Sequence, residues 1–159
     1  MEQTSGASVS IVPRVIEEVI HMALPDVEVV SQNDFDAKPE LPYVTFAVID
    51  PFTPHSYNNN NTPEAVSMQI QLGVHGHHEF ETLDNAFLIR TKLEDVTVRE
   101  KIQPKGVDIE KVIDVYSLPK QKADIAWEFV AGIDVQVSYK PKQVMPTLPE
   151  IDHVDITKK

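Results

Sequence analysis

Residues 73–81 read GVHGHHEFE, so three of the six histidines, His75, His77 and His78, stand within four positions and are followed by Glu79 and Glu81. Imidazole and carboxylate are ligands of zinc and non-haem iron, and a metal centre is the chemistry to weigh first. On a strand, side chains two apart share a face, which would offer His75 and His77 to one ion. A zinc site needs three protein ligands even where it is catalytic. The third would have to be His78 or Glu79, on the other face, or a distant residue that no pattern identifies. Gly76 also falls where strand periodicity lapses. The preferred reading is a polar strand-to-helix corner, with His75 and His77 kept as the candidate pair for a metal and no cofactor expected.

Other chemistry finds less support. The chain has no cysteine, which removes thiolate ligands, disulfides and Cys nucleophiles. None of its serines sits in a G-x-S-x-G elbow. The five glycines are scattered, and no G-x-G-x-x-G or Walker pattern is present. Among 25 acidic residues, adjacency of two carboxylates carries no information about catalysis. No catalytic residue is assigned and an enzyme is not expected. Two alternatives stay open: a small metal-dependent enzyme using His75 and His77, and a monomeric α+β domain binding a ligand between sheet and helices.

The charge narrows the partners. Fourteen Lys and Arg stand against 25 Asp and Glu, a net charge of −11. Gripping a nucleic-acid backbone depends on clustered Lys and Arg, so this role is disfavoured. At 159 residues the chain fits one domain, which can bury roughly 70% of its unfolded surface without cross-links. Its N-terminal stretch lacks the basic and apolar regions of a leader, and no apolar run approaches the ~18 residues of a spanning helix. A soluble, unprocessed chain with no membrane partner is expected.

The elements that would position the corner follow from periodicity. In residues 10–24, Val12, Val15, Ile16, Val19, Ile20 and Ala23 recur at helical spacing, with Ser10 as N-cap and Pro25 as stop. Residues 27–31 are a short strand and 43–50, YVTFAVID, a second. Residues 51–64 hold three prolines and the run Asn58, Asn59, Asn60, Asn61, and read as a long loop. From 65 to 76, Val66, Met68, Ile70, Leu72 and Val74 alternate with polar or small residues, one face for the core and one for solvent. A second helix follows, with Phe80, Leu83, Phe87, Arg90 and Leu93 on its inner face beside Ala86, and with acidic residues suited to the helix dipole in its first turn. Residues 107–117 are a strand of imperfect alternation. Residues 125–140 alternate from Trp127 to Tyr139, a run so long that it should bend, as at Gly132, or project beyond its sheet.

The expected fold is therefore α+β: one domain over 10–140 with a mainly antiparallel sheet and two helices on one face. Residues 1–9 are expected to be a flexible N-terminus and the proline-rich 141–159 an extended arm.

Taken together, the N-terminal helix, the LPYVTFAVID strand, the VSMQIQLGVHG strand running into a helix and the late IAWEFVAGIDVQVSYK strand resemble the tail terminator, or neck, proteins of long-tailed bacteriophages and related contractile particles. The resemblance covers about residues 10–140. It implies a virion protein, made in the host cytoplasm and built into the tail neck. Such a protein forms a ring, a homohexamer, that caps the tail tube, halts its polymerisation and offers a surface to the head connector or completion protein. DNA would pass through the ring without being gripped, in keeping with the acidity. On this reading Asn58, Asn59, Asn60, Asn61, His77 and His78 are candidates for contacts between subunits.

Overall fold

The computed structural model describes residues 8–33, 39–57, 63–123 and 126–141. The expected N-terminal tail, the asparagine run and the C-terminal arm lie outside these residues, apart from a few positions at their borders. Helix α1, Ile11–Ala23, buries Val12, Val15, Ile16, Val19 and Ile20, the stripe that a 3.6-residue period places on one side. Ser10 does not cap it through its hydroxyl. The carbonyls of Ser8 and Val9 take the N–H groups of Ile11 and Val12 instead, so the helical turn begins before Ser10. At the other end Leu24 N–H closes on Ile20, and His21 Nε2 lies 2.9 Å from the Val27 carbonyl, tying the helix end to the next strand.

Five strands follow: β1 Glu28–Ser31, β2 Tyr43–Tyr57, β3 Pro63–Gly76, β4 Val107–Ala123 and β5 Ala126–Tyr139. They form one sheet in the order β1-β2-β3-β5-β4. The sheet is mixed, because β1 runs parallel to β2 over four residue pairs while the other neighbours are antiparallel. The expectation of a mainly antiparallel sheet misses this parallel edge, which the connection through residues 32–42 permits.

The segment 51–64, expected as a loop, is strand at both its ends. β2 continues to Tyr57 and pairs irregularly with β3, through Thr53 with Ser67 and Pro54 with Val66. Pro51 and Pro54 are tolerated because β1 pairs with β2 only as far as Phe46, which among the described residues leaves β2 an edge strand from there on. Asp50 braces the first irregularity, accepting from Phe52 N–H at 3.4 Å and Thr53 Oγ1 at 3.3 Å. The imperfect alternation of β4 has the same kind of cause: register shifts at 109/111, 112/114 and 118/121 each reset its faces. β5 projects as its length requires. Its last pair with β3 is Phe129 with Gly76, whereas pairing with β4 runs on to Ala126 with Ala123.

Three α-helices, not two, cover one face. Helix α2 is Glu79–Glu94 and α3 is Val96–Ile102, followed by a 3-10 turn at Gln103–Lys105. With seven residues, α3 is too short to show a period in sequence. Asp95 caps it, accepting from Thr97 N–H and Thr97 Oγ1 at 2.8 Å each. These bonds, the hydroxyl's first, hold the Asp95 carboxyl below the usual carboxylate range. The face of α2 differs from the expected one. Thr82, Ala86, Ile89 and Leu93 are buried, while Phe80 is 79% and Phe87 57% exposed. Phe80 and Phe87 with Leu83 look like an inner stripe, but of the three only Leu83 packs against the core, and the sheet selects the Ala86 side, where a small residue allows the helix to approach closely.

The core is a single cluster of Val66, Met68, Ile70, Leu72, Ile133, Val135 and Val137 from the sheet against Ile16, Ile20, Ile89 and Leu93 from the helices. Two variants test the face assignment of α2 by thermal unfolding. Phe80→Ser with Phe87→Ser should change stability by no more than about 0.5 kcal/mol, and Ile89→Ala should cost roughly 2–5 kcal/mol.

Candidate functional site

On the sheet face away from the helices, β2, β3 and β5 bring four polar side chains together. Tyr43 opposes His75 and Thr45 opposes Gly73 in the β2–β3 register, while His75 opposes Val130 on β5. Glu128 lies two residues before Val130 and so points to the same side as its neighbour, reaching His75 on the diagonal. The contacts are short. His75 Nδ1 is 2.5 Å from Glu128 Oε1, Tyr43 OH donates to the same oxygen at 2.7 Å, and Thr45 Oγ1 is 3.1 Å from His75 Nε2. The Tyr43 and His75 rings stack with centroids 4.3 Å apart and planes 12° from parallel. Gly73 makes the room, because a Cβ there would lie 2.5 Å from Thr45 Oγ1 and 3.1 Å from His75 Nε2.

All four side chains are buried, Tyr43 and Glu128 to 3% exposure. Burial is the main cause that pushes the Tyr43 phenol far above its ordinary value, and the Glu128 hydrogen bond and charge add to it. Tyr43 is therefore a fixed neutral donor. The order Thr45, His75, Glu128 matches the hydroxyl, base and acid of a nucleophilic triad. It lacks the access that such chemistry needs. Thr45 is 7% exposed, and among the described residues the cavities of about 420 and 270 Å³ are lined by α1, α2, α3, β1 and β4 and by Phe46 rather than by these groups. As built, the network fastens three strands to one another.

A second polar group continues along the same face. Tyr116 OH donates to Asp134 Oδ1 at 3.1 Å and also meets the Gln71 amide, and its ring fills the space that Gly132 leaves open. Ser67 Oγ donates to Glu110 at 2.9 Å. Burial, then the Asp134 charge and hydrogen bond, raise the Tyr116 phenol, and burial alone raises Tyr139. A phenol whose folded pKa lies above its unfolded value of about 10 contributes stability that is complete below that pH and is lost as pH rises through the folded value. The contribution of these three phenols should thus be constant up to about pH 10 and fall beyond it. In an alkaline titration followed by tyrosinate absorbance and circular dichroism, Tyr43, Tyr116 and Tyr139 should ionise together with unfolding. Ionisation of all tyrosines near pH 10 with the fold intact would contradict the assignment.

The family of the chain decides how this arrangement is read. A family model described as phage neck terminator protein matches residues 9–159. The chain belongs to the phage neck terminator family. Its place is the virion, at the neck of the tail, and the family is one of structural head-tail proteins rather than enzymes. No helix among the described residues is long and apolar enough to cross a membrane. No curated protein matches the chain. Among the solved structures that match, one aligns over 89% of this chain and 99% of its own at 13% identity, with a TM-score of 0.45.

In this neck terminator the histidines suggested by sequence are dispersed. His75, next to last in β3, is buried on the face away from the helices with both ring nitrogens engaged, whereas His77 and His78 lie past the strand end, exposed, with ring centroids 6.4 Å apart. Among the described residues, no three His, Asp or Glu side chains gather as a metal would require. The corner is held at the His78 carbonyl, which accepts both Thr82 N–H and the Thr82 hydroxyl. Sequence reasoning passed over Tyr43, Thr45 and Glu128. The signal was Glu128 itself, a carboxylate inside the apolar run AWEFVAG, on the face that the alternation assigns to solvent.

Proposed function

We propose that the protein assembles as a hexameric ring that caps the finished tail tube, stops its polymerisation and presents its opposite surface to the head connector or completion protein, without enzymatic activity. Beyond family membership, the observation that carries this reading is the sheet face away from the helices. Side chains hydrogen-bonded along it are Ser67, Gln71, Glu110, Tyr116, Asp134 and Gln136, all acidic or neutral, while the register sets Lys111 opposite Gln136 at the β4 edge. Asp114 and Asp134 stand directly opposite each other across β4 and β5. Like charges in that position destabilise a sheet, and one lysine would relieve them. A surface that keeps this repulsion suits the wall of a passage for DNA, turning phosphate away at close range and screened beyond ~8 Å at physiological salt.

The sheet also has direction. The β2–β3 hairpin runs past Val66 at one end, and the β4–β5 hairpin past Phe129 at the other. The overhangs are two and three residue pairs, roughly 7–10 Å, a means of meeting different partners above and below a ring. Asn58, Asn59, Asn60 and Asn61 belong to the first hairpin's connection. With exposed His77 and His78, they are the side chains assigned to contacts between subunits. Native mass spectrometry at micromolar protein, with and without tail tube protein, tests the assembly. A ring is expected, and monomers under both conditions would overturn the reading.

A further inference from the structure

The two outer edges of the sheet are unlike. On one side β1 covers β2 as far as Phe46, and Pro51 and Pro54 blunt the edge beyond it. On the other side β4 has no strand neighbour outside it among the described residues, and residues 107–118 contain no proline. Alternate backbone N–H and C=O groups along it point away from β5, interrupted by the bulges at 109/111 and 112/114, so another strand would pair with the segments between and beyond those bulges. Beside this edge, between β4 and the helices, lies the cavity of about 420 Å³, with Leu93, Ile109 and Val112 lining it among the charged Glu94, Arg99 and Lys111. Leu93 and Ile109 are buried and Val112 partly so, which makes the cavity's floor a continuation of the core. A strand laid along β4 would cover that floor with every second side chain.

The chain contains a segment suited to the place. After β5, Lys140 N–H donates to the Gly106 carbonyl at 3.4 Å, so the described chain ends beside the start of β4. Eighteen residues follow Pro141, enough to reach roughly 60 Å when extended. Residues 142–149 include Pro146 and Pro149, which have no N–H to give to a strand ladder. Residues 150–159, EIDHVDITKK, have no proline and carry β-branched Ile151, Val154, Ile156 and Thr157, with Val154 and Ile156 two apart and so on one face of a strand. To return to its own β4, the segment would have to turn around the Gln103–Lys105 turn that immediately precedes that strand. The β4 edge of a neighbour demands no such reversal.

We propose that residues 150–159 of each subunit add as a strand to the outer edge of β4 in the next subunit, with Val154 and Ile156 seated over Leu93, Ile109 and Val112. This rests on the ring assembly proposed above. Each subunit gives one strand and receives one, a head-to-tail contact that closes at a fixed rotation. It is β-augmentation, with affinity from the main chain and register from the side-chain pockets.

The test compares the full chain with Val154→Asp/Ile156→Asp and with a chain ending at Pro141, by native mass spectrometry and by amide exchange along β4. The full chain should form the ring with the outward amides of 107–118 protected. Both variants should keep the circular dichroism of the folded domain, lose the ring and exchange those amides rapidly. A ring that persists in both variants, or outward amides that exchange equally fast in all three proteins, would overturn strand addition while leaving the ring itself standing. A full chain that is monomeric with and without tube protein would overturn both.

Discussion

Val135→Asp is expected to leave no folded protein. Val135 is fully buried at the middle of β5, opposite Ile70 on β3 and Val112 on β4, on the face that meets the helices. A carboxylate there either ionises without a partner or holds its proton in an apolar site, and both cost far more than the lost methyl groups. Changes of this kind lie in the tail beyond about 4–5 kcal/mol, against a total stability of about 5–15 kcal/mol for a domain. The neighbouring change Gln136→Asp is the control, since Gln136 is only partly buried and lies on the opposite, polar face. Circular dichroism and amide proton dispersion at 25 °C decide it: Val135→Asp should be unfolded and Gln136→Asp folded. A native spectrum for Val135→Asp would mean that the face assignment of β5 is wrong.

That face was legible because a strand with one side in the core must alternate, and β3 and β5 do so over most of their lengths. The same logic failed where one element has two competing apolar sides. In α2 the aromatic side carries more hydrophobic surface, yet the sheet accepts Ala86 and Ile89, because close packing of a helix on a sheet depends on what fits between the layers rather than on which residue is most apolar. The prolines of β2 misled for a different reason. A proline argues against a central strand, and only the topology reveals that β2 is an edge beyond Phe46. The Tyr43–Glu128–His75–Thr45 network was out of reach for a third reason, since its members are scattered over three strands and meet only once the register is known. His75 drew notice through its histidine neighbours, which take no part in the contacts it makes with Glu128 and Thr45.

Removing the carboxylate of that network should have the second largest effect. Glu128→Ala takes the acceptor from both Tyr43 OH and His75 Nδ1, and the ring stack holds the two donors where they are. A buried polar group deprived of its partner costs roughly 1–3 kcal/mol, so two such groups bring the loss to about 2–6 kcal/mol. Tyr43→Phe removes one donor and leaves Glu128 bonded to His75, and should cost nearer 1 kcal/mol. Glu128→Gln keeps an oxygen of similar reach, so its cost should fall between the two. The double variant Tyr43→Phe/Glu128→Ala should be less destabilised than the sum of its parts, because the phenol left unsatisfied in Glu128→Ala is no longer there. Urea unfolding of the four variants, with slopes compared to show that the denatured states match, measures this coupling directly. Strict additivity, or a Glu128→Ala loss no greater than that of Tyr43→Phe, would mean that Glu128 does not act as the shared acceptor. The strands would then owe their attachment at this end to the apolar layer beneath. A coupled loss would instead make the network the clip that holds β2 and β5 to the end of β3, where the β4–β5 hairpin leaves the sheet.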